Sequence, residues 1–195
     1  MRNPISAAYQ LFDDSLMAGA NYAVRAYNWT TGGTKEDLAN GIGGLSAICL
    51  SVSCFAANPI IGFVYTPIWL FGGHIISSAN IEYGRKEVDA QKIGALDLEA
   101  EKYKSTQKTA GVVLSTCAVS MAGLPTILPK SDDTVIYLGY ELFSVGCCLG
   151  SASTYVMRAD PLPPRKNVFS RMVDRAAELY EEYRKPAFEP IKIDG

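Results

Sequence analysis

Between Asp37 and Glu82 the chain runs through 44 residues, Leu38–Ile81, without one Asp, Glu, Lys or Arg. With a second such stretch further along it makes four candidate spans, and a soluble fold of 195 residues has too little material left to cover four helices that are apolar all round. A bilayer covers them readily, because a hydrocarbon core about 30 Å thick takes roughly 20 helical residues. The stretch is therefore two spans long. Asn58-Pro59 lies near its middle, and proline both lacks an N–H and turns its predecessor away from helical geometry. Spans near residues 38–57 and 60–79, joined at that break, are expected.

The arrangement recurs further along. Thr109–Pro129 is uncharged, Leu128-Pro129-Lys130-Ser131-Asp132-Asp133 reads as a turn, and Thr134–Met157 carries only Glu141. The expected fold class is an all-α integral membrane protein with four transmembrane helices as two helical hairpins and amphipathic cytoplasmic helices at both ends. The units are an N-terminal amphipathic helix and corner (1–33), a first transmembrane hairpin (34–80), and a charged helical connector (81–108). A second transmembrane hairpin (109–157) and a Pro-rich linker, amphipathic helix and loose tail (158–195) complete the chain.

Basic residues set the expected orientation. If both hairpin turns face one side, that side receives only Lys130, while the other receives the remaining 17 Lys and Arg. Both termini and the connector are thus expected in the cytoplasm or its organellar equivalent. A net charge of −2 excludes the strongly basic footprint of a nucleic-acid binder. Gln10, Asp13, Asp14, Asn21 and Arg25 interrupt the apolar positions of Ile5–Tyr27, so no cleavable export signal is legible. Asn28-Trp29-Thr30 matches a glycosylation pattern, but on the side where it would not be used.

Outside the spans, Ile5, Tyr9, Phe12, Leu16, Ala20, Ala23 and Tyr27 draw an apolar stripe along a helix that starts at Asn3-Pro4. That stripe is expected to lie in the membrane interface or on another cytoplasmic helix. Trp29–Gly33 forms a corner, and Thr34-Lys35-Glu36-Asp37 restarts the helix with a cap-and-acid pattern. The second and third spans are expected to continue as helices beyond the membrane and turn near Gly94. After the stiff Asp160–Pro164 linker, Phe169, Met172, Val173, Ala176, Tyr180 and Tyr183 mark a second amphipathic helix, with packing against the first favoured. Pro186 and Pro190 end regular structure.

Glu141 is the one acidic residue inside a span, and an intramembrane carboxylate is a functional candidate by default. Its two readings are proton or cation handling and a structural hydrogen bond. His74, the sole histidine, is expected in a helix interface beside Gly72 and Gly73, at a different depth from Glu141. Gly43, Ala47 and Ser51 repeat at four-residue spacing, as do Gly146, Gly150 and Thr154, and small residues so spaced let helix backbones approach closely. They point to a compact bundle or an oligomer seam. Cys49, Cys54, Cys117, Cys147 and Cys148 read as small apolar fillers, with no metal-ligand spacing. No catalytic, phosphate-binding or dinucleotide motif occurs in a suitable context, and no cofactor is expected.

These features point to a membrane subunit with a structural, assembly or partner-binding role. Its expected partners are the lipid bilayer and other proteins or copies of itself, and not nucleic acid. The alternative is a small oligomeric transporter or channel using Glu141. A membrane-shaping hairpin protein and a lipid-acting enzyme are weaker readings.

Overall fold

The computed structural model describes residues 4–94, 97–127, 134–162 and 165–184. They form six helices and no strands: α1 (Pro4–Thr31), α2 (Lys35–Ala57), α3 (Pro59–Lys92), α4 (Leu98–Ile127), α5 (Thr134–Arg158) and α6 (Val168–Arg184).

Local chemistry sets the boundaries. Thr34 caps α2 in a reciprocal capping box, accepting from the Asp37 N–H while its own N–H donates to the Asp37 carboxylate at 2.9 Å. One residue, Asn58, separates α2 from α3; its side-chain oxygen accepts from the Ile60 N–H at 2.8 Å, and Pro59 takes the first helical position. Pro67 sits inside α3 without ending it. The chain leaves α3 through Gly94, whose φ of +65° is open to glycine at little cost. Gly32, at φ +78°, makes the corner after α1, where the Arg165 backbone N–H donates to its carbonyl.

Three helices are long and apolar enough to cross a membrane: α2, α3 and residues Val135–Arg158 of α5. The expectation of four is corrected to three among the described residues. The first turns of α4, Leu98–Lys108, are dominated by charged and polar residues, and its described side chains from Thr109 to Gly123 cover only about 22 Å at 1.5 Å per residue. The turn 128–133 lies outside the described residues, as do Asn3, Pro163, Pro164, Pro186 and Pro190.

The helices stand in the order α3, α2, α5, α4. Contacts between α2 and α3 pair Lys35 with Glu87, Asn40 with Asn80 and Ala47 with Gly73, so the two helices run in opposite senses. Contacts between α4 and α5 do likewise, from Gly111 with Tyr155 to Ala118 with Ser144. The central pair buries most: 33% and 28% of the apolar windows of α2 and α5 are covered, against 6% for α3.

The small-residue faces are used inside the chain. A Cβ on Gly146 would meet Leu50 Cγ at 2.8 Å, one on Gly43 would meet Ser153 Oγ at 3.3 Å, and one on Gly150 would meet Leu114 and Ser46 at 3.1 Å. Ala47 packs on Gly73, the Ser51 hydroxyl donates to the Ala47 carbonyl, and Thr154 sits against Gly111. The close approach lets serines bridge helices: Ser46 donates to the Gly146 carbonyl at 2.6 Å and Ser153 to the Ala39 carbonyl at 2.8 Å.

Candidate functional site

The charged side chains that the helices bury gather at one end of the bundle, where α1 crosses α5. Asp13, 6% exposed, accepts two parallel hydrogen bonds from Arg158, at 2.8 and 3.0 Å. It takes a third from the Tyr155 hydroxyl at 3.0 Å, and Lys108 Nζ lies 3.2 Å away. The Arg158 guanidinium outweighs the opposing effect of burial and holds the Asp13 carboxyl well below the usual carboxylate range.

A second cluster lies beside it. Lys35 is only 1% exposed, a costly place for an ammonium unless it is fully paired. Its Nζ donates to Glu87 at 2.6 Å and to the Ala159 carbonyl at 2.8 Å, so it caps the negative end of α5. Lys104 pairs with the same Glu87 carboxylate. Next to it, the Tyr103 hydroxyl donates to Asn80 Oδ1 at 2.6 Å and Asn80 Nδ2 to Asn40 Oδ1 at 2.9 Å, which links α4, α3 and α2. Tyr103 also stacks on Tyr83, with ring centroids 4.3 Å apart. In the two clusters together, two carboxylates hold four cations.

α1 serves this base in an unexpected rotation. Its buried residues are Asp13, Ala20, Val24 and Asn28, a face turned roughly a quarter turn from the apolar stripe. Tyr9 and Phe12 of the stripe remain exposed. The stripe instead lines a cavity of about 480 Å³ between α1, α4 and α5. Asn28 donates from its amide nitrogen to the Gly33 carbonyl at 3.1 Å, which holds the corner.

The residues singled out from sequence fall elsewhere. Glu141 is exposed on α5, with no hydrogen bond or ion pair among the described residues. His74 is exposed on α3, and only its backbone carbonyl, which accepts from Ser78, makes a side-chain contact of this kind. The interface position expected for the imidazole is therefore replaced by an outward one. Of the cysteines only Cys147 is buried, and it packs with Leu50 and Ala118; all five are free thiols. Among the described residues no group of three His, Cys, Asp or Glu could hold a metal ion.

Among the described residues α6 meets α1 near the corner, where Arg171 lies over the Trp29 ring, 5.3 Å from its centroid, and donates to the Trp29 carbonyl. Packing along α1, the favoured expectation, is not found. Phe169, Met172, Val173, Leu179, Tyr180 and Tyr183 form an apolar face that is exposed from end to end.

None of Asp13, Lys35, Glu87 and Lys104 was singled out from the sequence as a site residue, because each reads there as one more charge outside the spans. The available signal was the position of Lys35, a cation in the first turn of an apolar helix, where the helix dipole disfavours it. No family model, curated protein or solved structure matches this chain.

Proposed function

We propose that the chain is an integral membrane protein set in the bilayer as two helical hairpins, α2–α3 and α4–α5, and acts as a structural or assembly subunit; α2, α3 and α5 are the helices long and apolar enough to cross by themselves, and α4, whose described apolar part is shorter, crosses packed on α5. The observation that carries this reading is α3. Ile60, Phe63, Val64, Ile68, Phe71 and Ile75 are all exposed along it, whereas its bonded polar residues, Asn80, Lys86 and Glu87, lie in its last turns. An exposed apolar surface of that length is intolerable in water and ordinary in lipid. The charged base then lies on the side of both termini, in keeping with the distribution of basic residues.

The partner-binding element is α6. Its polar face carries Asp174, Glu178, Glu181 and Glu182 against Arg171, Arg175 and Arg184. That balance disfavours adsorption to an anionic leaflet, where basic faces are the rule, and favours a protein partner for the exposed apolar face.

Two measurements test the reading. In a cysteine-free background, Ser131→Cys should react with an impermeant maleimide applied to the outside of intact cells, and Ser105→Cys should not; the reverse or an equal pattern counts against the spanning topology. In mild detergent the 21.1 kDa chain should purify in a heavier complex that dissociates when Val173 and Tyr180 are changed to Glu. A chain that is monomeric throughout removes the subunit role.

The outward position of Glu141 favours one second reading. A carboxylate on the outer face of an apolar helix is satisfied when a second copy covers it, so transport through Glu141 would require a homo-oligomer with this residue at the seam. Loss of proton or cation flux in liposomes with Glu141→Gln would support it, and unchanged flux would remove it.

A further inference from the structure

The cavity between α1, α4 and α5 is chemically divided along its length. Its walls are apolar, formed by Phe12, Leu16, Val119, Ala152 and Val156. The hydroxyls that reach it are already bonded within the protein: Ser15 to the Leu11 carbonyl at 2.8 Å, Ser115 and Ser151 to each other at 2.7 Å, and Ser151 to the Gly111 carbonyl at 3.0 Å. Among the described lining residues no hydroxyl is left over for a polar ligand, so the cavity suits hydrocarbon.

Its foot has the opposite character. Tyr155 lines the cavity and donates to Asp13, whose single negative charge faces two cations, Arg158 and Lys108. Arg158 occupies both carboxylate oxygens, and Lys108 is left 44% exposed with its ammonium 5.6 Å from the Tyr9 ring centroid. On α4, Lys104, Lys108, Gly111, Ser115 and Ala118 follow one another at helical spacing, so one face leads from the cations into the cavity.

We propose that this cavity holds an acyl chain of an anionic phospholipid whose phosphate rests against Lys108. The excess of one positive charge selects the headgroup, and the apolar walls, with the α1 stripe among them, take the chain. Basic sites at the ends of membrane helices hold anionic lipids by this combination of charge and depth. Gly19 marks the available space, because a Cβ there would meet nothing within 4 Å. The inference rests on the membrane reading above.

The test uses the full chain in mild detergent, exchanged against equimolar vesicles of phosphatidylglycerol and phosphatidylcholine and examined by native mass spectrometry. One phosphatidylglycerol per chain should be retained in preference. Lys108→Gln should lower that retention about fivefold, Lys108→Arg should restore it, and Gly19→Leu should abolish retention of both lipids at an unchanged melting temperature. Equal retention of the two lipids overturns the proposal, as does wild-type retention by Gly19→Leu. Should Gly19→Leu fail to fold, the Lys108→Gln and Lys108→Arg pair decides it alone. Alkaline extraction of membranes separates the two readings: a wild-type chain released by alkali sinks the membrane assignment, whereas one that stays inserted without lipid preference sinks only this inference.

Discussion

Asp13 on α1 and Arg158 at the end of α5 meet through two parallel hydrogen bonds, Nη1 to Oδ1 at 2.8 Å and Nη2 to Oδ2 at 3.0 Å, across 145 positions of chain. The pair is nearly dry, with side chains 8% and 12% exposed. Removing one member leaves the other charge buried, so Asp13→Ala should cost about 3–5 kcal/mol in reversible unfolding in detergent. Arg158→Ala made in the Asp13→Ala background should cost clearly less than on its own. Additive losses would show that the pair does not couple α1 to α5.

The same carboxylate predicts an acid sensitivity. The pKa of Asp13 is depressed in the fold. Its contribution is therefore complete above the unfolded value of about 3.9 and is lost as pH falls towards the folded one. The stability gap between the wild type and Asp13→Asn should be constant from pH 8 to about pH 5 and shrink below about pH 4. Melting curves across that range check the sign.

Lys35, Lys104 and Glu87 predict an order of damage. Lys35→Met leaves Glu87 paired with Lys104, while Glu87→Gln leaves two lysines without their shared carboxylate. Glu87→Gln should therefore be the more destabilising, by about 1–3 kcal/mol relative to Lys35→Met. Equal melting temperatures for the two variants would contradict the arrangement.

Two glycine substitutions separate packing from helix propensity. Gly146→Ala places a methyl 2.8 Å from Leu50 Cγ and 3.2 Å from the Leu50 backbone nitrogen, so α2 and α5 must move apart, at about 1–3 kcal/mol. Gly44→Ala meets nothing within 4 Å and should stabilise by up to about 1 kcal/mol. Thermal unfolding of both proteins in one detergent is the measurement.

Glu141 makes no hydrogen bond or ion pair among the described residues, so Glu141→Gln should leave the unfolding stability of the detergent-solubilised chain within about 0.5 kcal/mol of wild type. A larger loss would reveal a partner inside the chain. Its effect should be confined to flux or to oligomer stability.

Much of the helix framework was legible in the residues. Asn58-Pro59 divides α2 from α3 because a missing N–H and a capping amide act locally, and Thr34 and Gly94 work in the same way at their own boundaries. Gly43, Gly146 and Gly150 line close helix contacts. The extent of α4's apolar part and the rotation of α1 were not legible. A stripe of apolar residues says where oil belongs without saying whether protein or lipid supplies it.

The uncharged run and its punctuation were enough to make the chain helical and to cut the run at Asn58, because these depend on neighbours a few residues away. Which charges are buried, and against what, was decided by the tertiary structure alone. Asp13 finds Arg158, Lys35 finds Glu87 and the Ala159 carbonyl, and the two groups lie side by side because both reach the end of α5. The physical reason is range: a helix cap or a proline acts within a turn, whereas a buried ion pair becomes favourable only once packing has removed the water from both partners.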